Sequence, residues 1–425
     1  MIQSFSKIER ISGTLSLPGD KSISHRALLI SSLADGKSII KNLPYSEDVK
    51  STIRCLEGLG IEFEKSANDF IVHGKGFKGF KQSSKPLDAG NSGTTARLLT
   101  GILAVQNFES VIQGDSSLSS RPMKRLIDPL SLMGCRIEST NGKLPLHIYP
   151  SDSLKAINYT LPVSSAQVKS SILLAGLHSE EETNVIESTQ TRNHTENLLG
   201  LKVINESGKI ISTSSKKNYP NPKDYFIPGD ISSAMFFIVL TLLTKNSELI
   251  IKNVSLNPTR IEAINLLKKM GADIQVEVKD ESNKEVFGDL IVKSSKLTNI
   301  KIEPEIIPLI IDEIPILSIA GIFAEGDFEI RNVNELRVKE SDRIKTLCSN
   351  LLRLGLDVIE YEDGFKFSGE IKNSNITFNS FGDHRIAMAF AILSSLLKAG
   401  GSVDEFECVS VSNPNFVEQL KSINR

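Results

Sequence analysis

Apolar helices that open from small polar residues recur six times along this chain. In each repeat a short extended run ends in Gly, Ser, Asp or Asn and leads at once into a strongly apolar helical stretch. Those residue types favour turns and helix N-caps, so the pattern predicts six capped and largely buried helices. The six openings are Gly19–Ser22, Gly90–Gly93, Ser164–Gln167, Gly229–Ser232, Asp312–Pro315 and Gly382–Arg385.

Each apolar helix is followed by a strand-like run and then by an amphipathic helix that usually ends in Leu-Gly or Met-Gly. The runs are Ser38–Leu43, Ser110–Gly114, Asn184–Glu187, Glu248–Val254 and Phe328–Val333, and the second helices start near Ser46, Arg121, Arg192, Pro258, Glu340 and Pro414. The repeat is too long for a simple solenoid. It predicts an α/β protein built from six small layered subdomains.

The two ends of the chain complement each other. The last repeat stops at Arg425, soon after its second helix, while Ile11–Leu17 leads into the Gly19 motif as Ile376–Ser380 leads into Gly382. We therefore expect the N-terminus to cross over and join the last repeats. This predicts two domains of three repeats each, one of residues 18–225 and one of residues 1–17 plus 226–425.

A polar, proline-bearing stretch at Ser214–Asp224 supports this domain limit. The alternative is a long loop inside a single domain. The length of 425 residues and the 40% of hydrophobic residues are ample for more than one buried core.

The apolar stretches, the cysteines and the net charge of the chain disfavour several classes of protein. No apolar stretch approaches the ~20 residues that span a bilayer, and the N-terminus does not begin like a signal peptide. The four cysteines stand alone, without a CxxC pair, so we expect neither a zinc site nor a disulfide framework but a reduced cytoplasmic protein. A net charge of −2 gives no general affinity for nucleic acid.

Positive side chains gather where the apolar helices begin. Helix N-termini attract phosphate and carboxylate, so the basic residues there predict an anion-binding site. Arg26 and Arg97 could instead be ordinary salt-bridge formers, and a Ser or Asp at such a start could be only an N-cap. Lys21 favours ligand binding, because a lysine at a helix start opposes the dipole. The basic residues are Lys21, Arg26, Arg97, Arg121, Lys339, Arg343 and Arg385.

The most densely charged stretch is Leu336–Arg343. Such a run is usually a solvated face. Here it follows a predicted strand and opens an amphipathic helix, so Lys339 and Arg343 should share one face near the helix start. Asp312 should begin its own helix, with no basic residue nearby in sequence, and is therefore either a general base or a plain N-cap.

Several of these motifs together resemble the signatures of the 5-enolpyruvylshikimate-3-phosphate synthase family. The resemblance runs from about Gly13 to Leu420 and implies a two-domain inside-out α/β barrel. Each domain would hold three βαβαββ units with pseudo-threefold symmetry, and the active site would lie in the cleft between the domains. The motifs are Leu17–Arg26, Gly90–Thr94, Arg121–Met123, Leu336–Arg343 and Asp383–Met388.

The resemblance also implies an activity. The enolpyruvyl group of phosphoenolpyruvate would move to the 5-hydroxyl of shikimate 3-phosphate with release of phosphate, without metal or organic cofactor, in a cytoplasmic monomer of the aromatic amino acid pathway. Glyphosate would be an inhibitor. Such an addition and elimination needs an acid for carbon and a base for the hydroxyl.

The implied site residues fall into three groups. Asp312 as base, Glu340 in proton transfer and Lys21 would be catalytic. Shikimate 3-phosphate would contact Lys21, Ser22, Arg26, Ser165, Ala166, Gln167, Arg192, Asp312 and Lys339. Phosphoenolpyruvate would contact Lys21, Gly93, Arg121, Gln167, Arg343 and Arg385.

The chain departs from many family members at three positions. Ala166 stands where they have a second serine, Glu335 where they have asparagine, and Val411 where they have lysine. The pattern is more similar to the divergent bacterial branch, in which Arg192 would contact the substrate phosphate or be a bystander.

Two other functions remain open at this point. The related enolpyruvyl transferase that acts on UDP-N-acetylglucosamine mostly carries a cysteine on the loop before its Arg-Pro, and Gly114–Arg121 has none. A non-enzymatic repeat scaffold for protein or RNA is disfavoured, since the chain lacks Trp and has no basic stripe.

Overall fold

The polar residue before each apolar helix caps that helix in five of the six repeats. In the computed structural model, side-chain oxygens of Asp20, Ser92, Ser165, Asp230 and Asp383 accept hydrogen bonds from backbone N–H groups of the first turn. The fifth repeat differs. Its helix begins at Ile314, and Glu313, in the N-cap position, makes no side-chain cap.

The structure describes residues 1–66, 69–151 and 153–425. The helices are α1 (Lys21–Leu33), α2 (Glu47–Gly58), α3 (Gly93–Leu103), α4 (Ser116–Ser120), α5 (Lys124–Leu132), α6 (Ala166–Gly176), α7 (His194–Leu199), α8 (Ile231–Leu243), α9 (Glu262–Lys269), α10 (Ile307–Ile310), α11 (Ile314–Phe323), α12 (Arg343–Arg353), α13 (His384–Leu396) and α14 (Phe416–Ile423). Short 3₁₀ turns lie at Phe77–Gly79, Lys216–Asn218, Pro304–Ile306, Asn334–Val338 and Phe406–Val411.

Most strands of the described residues are short, and half of them directly follow an α-helix. They are β1 (Gln3–Phe5), β2 (Ser12–Ser16), β3 (Asp35–Lys41), β4 (Glu62–Ser66), β5 (Asp69–Lys75), β6 (Leu87–Asp88), β7 (Ser110–Gln113), β8 (Ile137–Thr140), β9 (Lys143–Ile148), β10 (Asn158–Thr160), β11 (Thr183–Glu187), β12 (Lys202–Glu206), β13 (Lys209–Ser214), β14 (Tyr225–Phe226), β15 (Glu248–Ser255), β16 (Asp273–Ser282), β17 (Glu285–Lys293), β18 (Phe328–Ile330), β19 (Asp357–Tyr361), β20 (Gly364–Ser368), β21 (Thr377–Phe378) and β22 (Gly401–Val403).

The chain divides into two units. The terminal unit comprises Met1–Pro18, Gly229–Asp280 and Val286–Arg425, and the central unit comprises Gly19–Pro228 and Glu281–Glu285. The domain limits expected from the sequence, with an active site between the domains, stay a prediction.

Three sheets lie in the described part of the central unit, in the strand orders β14-β3-β5-β4, β6-β7-β9-β8 and β10-β11-β13-β12. In each sheet the first two strands run parallel and the others pair antiparallel. In two of these sheets an apolar helix connects the two parallel strands. Helix α3 connects β6 to β7 and α6 connects β10 to β11, so each forms a βαβ unit.

Three further sheets in the described terminal unit have the orders β16-β17-β15-β2, β18-β20-β19 and β1-β22-β21. The N-terminal strand β2 pairs in parallel with β15, and β1 pairs antiparallel with β22. The N-terminal strands thus pair with strands of the fourth and sixth repeats.

The apolar helices form the core of each unit. In α8 every residue from Ile231 to Leu242 is buried, which explains why its sequence is apolar on all sides. Phe236 and Phe237 of this helix pack against Phe416 of α14, with ring centroids 6.0 and 5.5 Å apart. No single helix among the described residues is long and apolar enough to cross a membrane; the pair Pro304–Ile310 and Ile314–Phe323, bent by 115°, meets that criterion only when taken together.

Two predictions about helix starts concern residues of the site and are wrong. Asp312 does not begin a helix, because α11 starts two residues later, so the N-cap alternative for Asp312 is wrong. Lys339 lies in an extended conformation outside α12, which starts at Arg343. The expectation that Lys339 and Arg343 share a helical face is therefore wrong as well.

Close packing of α3 against α6 requires Gly101. A methyl group on Gly101 would lie 2.3 Å from the backbone oxygen of Ser171 in α6, and a backbone atom cannot swing aside. We expect Gly101→Ala to lower the free energy of unfolding by about 1–3 kcal/mol in chemical denaturation. Gly58→Ala is the matched helical control, since its new methyl would meet only side-chain atoms, of Leu87 at 3.2 Å and of Ser83 at 3.4 Å, and should change stability by less than about 1 kcal/mol. Equal effects of the two substitutions would contradict this account of the α3–α6 contact.

Candidate active site

Lys21, the first residue of α1, forms an ion pair in the central unit. Its Nζ lies 2.9 Å from Oδ2 of Asp48 in α2, and the two side chains are 17% and 9% exposed. This ion pair gives Lys21 a structural partner that the sequence did not indicate. The pair holds the ammonium group beside the start of α1, where it stays a predicted ligand of an anion.

Arg26 lies one turn further along α1 and is buried. Its Nε donates to Oγ1 of Thr195 at 2.7 Å, Nη2 to Oγ of Ser170 at 2.8 Å and Nη1 to the Ser22 carbonyl oxygen at 2.9 Å. All three acceptors are neutral. Burial lowers the pKa of Arg26 to about 10, against the opposing charge of Glu196.

A glutamine joins the starts of α3 and α6. Oε1 of Gln167 accepts from Nη1 of Arg97 at 2.5 Å, and its Nε2 donates to Oγ1 of Thr94 at 3.0 Å. Ser165 caps α6 just before Ala166, with 3.4 Å between Oγ and the Val168 nitrogen. The structure thus brings Gln167 next to the residue that follows Gly93, as a shared phosphoenolpyruvate site would require.

Arg121 approaches the same helix start from the loop between α4 and α5. Its Nη2 donates to Oδ1 of Asn91 at 2.8 Å and to Oγ of Ser117 at 3.2 Å. A methyl group on Gly93 would lie 3.5 Å from Nη1 of Arg121 and 2.9 Å from Nη1 of Arg97. The missing side chain at Gly93 therefore leaves room beside two guanidinium groups.

In the terminal unit, Asp312 lies among three cations. Its Oδ1 is 3.4 Å from Nη1 of Arg343 and 3.5 Å from Nζ of Lys339, and its Oδ2 is 3.9 Å from Nη2 of Arg385. Nη1 of Arg385 also donates to the Asp312 carbonyl oxygen at 2.9 Å. The structure therefore brings Lys339, Arg343 and Arg385 to Asp312, although sequence neighbours alone gave Asp312 no ion-pair partner.

Arg343 is held by two more carboxylates. Its Nη2 lies 2.6 Å from Oε2 of Glu340, and its Nε donates to Oδ2 of Asp383 at 2.8 Å. Burial alone would lower the pKa of Arg343, but the charges of Asp383 and Glu340 raise it above its usual range. Burial would likewise raise the pKa of Asp383, but the Arg343 charge outweighs it and holds that pKa below its ordinary value.

Sequence reasoning missed three acidic residues of these clusters. Asp48 pairs with Lys21, Asp383 pairs with Arg343, and Glu313 is buried with Oε1 accepting from Ser232 and lying 3.8 Å from Nη1 of Arg385. Only Asp383 carried a signal, as the cap of the last apolar helix. Among the described residues, no group of three or more His, Cys, Asp or Glu side chains is placed to hold a metal ion.

Comparison with known proteins identifies the family. Residues 5–420 match the family model described as EPSP synthase (3-phosphoshikimate 1-carboxyvinyltransferase). This chain belongs to the EPSP synthase family. It is 48% identical over 422 residues to the 3-phosphoshikimate 1-carboxyvinyltransferase of Petrotoga mobilis, covering 98% of each chain, and 44% identical to that of Salinibacter ruber, covering 100% of each.

Solved structures of EPSP synthases have the same fold. One from Acinetobacter baumannii is 37% identical, with a TM-score of 0.86 over 100% of this chain and 98% of that chain. The enolpyruvyl transferase NikO from Streptomyces tendae, 14% identical, has a TM-score of 0.76 over 99% of this chain and 96% of its own, and shows the fold alone. The predicted fold class and family are confirmed.

Removing the Asp383 carboxylate tests whether the pair with Arg343 holds the terminal unit together. Asp383→Asn leaves the Arg343 charge buried with one partner fewer, and breaking such a pair costs about 3–5 kcal/mol of unfolding free energy near pH 7. Because the folded-state pKa of Asp383 is lowered, this contribution is present above the ordinary aspartate pKa of about 4 and is lost as the pH falls through the lowered value. The measurement is urea denaturation of both proteins from pH 7 to pH 3.

Asp327→Asn is the matched control, since its ion pair with Lys366 is 54% exposed on the aspartate side and should contribute less than about 1 kcal/mol. A gap between wild type and Asp383→Asn that stays constant down to pH 3 would contradict the assignment.

Proposed function

We propose that this chain transfers the enolpyruvyl group of phosphoenolpyruvate to the 5-hydroxyl of shikimate 3-phosphate, releasing phosphate and 5-enolpyruvylshikimate 3-phosphate. The observation that carries the proposal is the convergence of Asp312, Lys339, Glu340 and Arg343 in a chain of this family. It unites an acid, a base and cations at one place, as an addition and elimination through a tetrahedral ketal requires. The curated relatives named 3-phosphoshikimate 1-carboxyvinyltransferase support it.

Guanidinium groups would hold phosphoenolpyruvate. Its phosphate and carboxylate are planar or multidentate anions that suit the fork of arginine better than the ammonium of lysine. In the central unit Arg121 would act with Lys21, Gln167 and the backbone at Gly93. In the terminal unit Arg343 and Arg385 would act.

Asp312 would accept the proton of the 5-hydroxyl. Its Oδ1 lies 3.5 Å from Nζ of Lys339 and 3.4 Å from Nη1 of Arg343, so the carboxylate is held in place by cations that would also contact the substrates.

Glu340 would move the proton at the methylene carbon. Its contact of 2.6 Å with Arg343 keeps it beside a guanidinium group that would also hold phosphoenolpyruvate. An acid in that position can protonate the carbon as the hydroxyl adds and remove a proton during elimination.

The proposed contacts to shikimate 3-phosphate are given for each unit by itself. In the central unit they are Lys21, Ser22, Arg26, Ser165, Ala166, Gln167 and Arg192, and in the terminal unit they are Asp312 and Lys339. Arg192 would contribute the phosphate contact of the divergent bacterial branch.

The proposal extends to the setting in which the enzyme works. All four cysteines are free thiols, which suits a reducing cytoplasm, and we propose a monomer, which size-exclusion chromatography would test.

Phosphate release tests the reaction directly. Release should require phosphoenolpyruvate and shikimate 3-phosphate together, and thermal shift should show stabilisation by shikimate 3-phosphate. Stabilisation by UDP-N-acetylglucosamine instead, with release in its presence, would favour the related transferase, and no response to either would refute both enzymes.

The Asp312→Asn variant tests the assignment of the base. The amide keeps the shape but cannot accept the proton, so kcat for phosphate release should fall about 10²–10⁴-fold. A carboxylate that served only to pair with Lys339 and Arg343 would instead affect stability and leave turnover nearly unchanged. Asp327→Asn controls for the exchange itself, and near-normal turnover of Asp312→Asn would show that Asp312 is not the base.

A further inference from the structure

We infer that Lys169 is a positioning residue for shikimate 3-phosphate, acting through a buried ion cluster beneath the residues proposed to bind that substrate. The inference rests on the proposed function. Lys169 lies in the first turn of α6, which begins with Ala166 and Gln167, and its side chain is 1% exposed. None of the proposed catalytic steps uses it.

The cluster consists of one cation and two carboxylates. Nζ of Lys169 lies 2.6 Å from Oε2 of Glu187 at the end of β11 and 2.7 Å from Oε1 of Glu196 in α7. All three side chains are at most 2% exposed. Burial alone would lower the pKa of Lys169, but the charges of Glu196 and Glu187 raise it above its usual value, so the ammonium group stays charged.

The cluster holds the segment that carries Arg192. Oγ1 of Thr191, directly before Arg192, donates to Oε1 of Glu187. On the C-terminal side of Arg192, Glu196 contacts Lys169 directly, and its Oε1 also accepts from Oγ of Ser212 in β13 at 3.1 Å. Arg192 thus lies between two residues tied to Lys169, Thr191 through Glu187 and Glu196 directly, and its position depends on them.

The same segment also holds Arg26. Thr195 accepts from Nε of Arg26 at 2.7 Å and donates to Oγ of Ser170 at 2.7 Å, while Ser170 accepts from Nη2 of Arg26 at 2.8 Å. Ser170 follows Lys169 in α6, and Thr195 precedes Glu196 in α7. One buried cluster therefore fixes Arg26 of α1, Arg192 and the start of α6 relative to each other.

Charge balance explains why the cluster is built this way. Two buried carboxylates next to a single lysine leave an excess negative charge, and Arg26, whose own hydrogen bonds go to neutral oxygens, supplies the second positive charge nearby. Buried charges need such compensation. Loss of Lys169 should thus change the positions of both Arg26 and Arg192. Loss of a purely local packing contact would not do so.

The decisive variant is Thr191→Val, which removes one hydroxyl and keeps the side-chain shape. It detaches the residue before Arg192 from Glu187 without removing any charge. We expect KM for shikimate 3-phosphate to rise about 5–20-fold and KM for phosphoenolpyruvate and kcat to stay within about threefold, the pattern of lost substrate binding. Calorimetric titration of shikimate 3-phosphate should show the same fold-change in Kd.

Thr213→Val is the matched control. Thr213 is also a buried threonine of the central unit, next to Ser212, but its hydroxyl donates to Oδ1 of Asn184 at 2.7 Å and not to a carboxylate of the cluster. It should leave both KM values within about twofold of wild type.

Lys169→Met and Lys169→Arg complete the series. Lys169→Met should raise KM for shikimate 3-phosphate by about 10²-fold where it folds, and Lys169→Arg should recover part of that loss because it restores the charge. Circular dichroism identifies a variant that does not fold, and in that event Thr191→Val decides alone.

Unchanged binding of shikimate 3-phosphate by Thr191→Val overturns the inference, as does an equal rise in both KM values or an equal effect of Thr213→Val. A wild-type enzyme that releases no phosphate from the two substrates refutes the proposed function, and with it this inference, whereas an active wild type with an unaffected Thr191→Val refutes the inference alone.

Discussion

The buried contact between Arg343 and Asp383 is the interaction on which the terminal unit's share of the candidate site depends. Arg343 begins α12 and Asp383 caps α13, so the contact fixes two helix starts that are 40 residues apart in sequence. Placing these charges out of water costs several kcal/mol for each ion, and such pairs often add little net stability. This pair instead orients the guanidinium group of Arg343. Because Asp383 holds Nε, the outer nitrogens Nη1 and Nη2 face Asp312 and Glu340.

The central unit orders its arginines by a different means. Arg26 donates to two hydroxyl groups and one carbonyl oxygen, while the compensating carboxylates lie one layer deeper, on Lys169. Neutral acceptors leave more of the guanidinium charge available to a bound anion than a direct carboxylate would. Both units thus hold a buried guanidinium group in a fixed orientation, the terminal unit with carboxylates and the central unit with neutral oxygens.

Much of the fold could be predicted from the sequence because its signals are local. A capping residue followed by an all-apolar stretch is recognisable within a few residues, and all six apolar helices exist. The predicted starts of the second helices were less accurate. The one expected near Arg121 starts at Lys124, because a residue before proline is kept out of the helical region, and the one expected near Pro258 starts at Glu262 after a turn held by the Asn257 side chain.

The site was harder to predict because its contacts are distant in sequence. The arginines beside Asp312 lie 31 and 73 residues away, so no inspection of its neighbours could find them.

Lys339 and Arg343 do lie near each other, as expected from the sequence, but not because they share a helical face. They converge on Asp312 because Lys339 leaves the 3₁₀ turn Asn334–Val338 in an extended conformation and approaches from before the helix, not along its face. An extended residue can be aimed independently of the helix that follows it, whereas a lysine inside the first turn would have to follow the helical side-chain direction and would lie in the unfavourable end of the dipole. The break before α12 is therefore what allows two cations to approach one carboxylate.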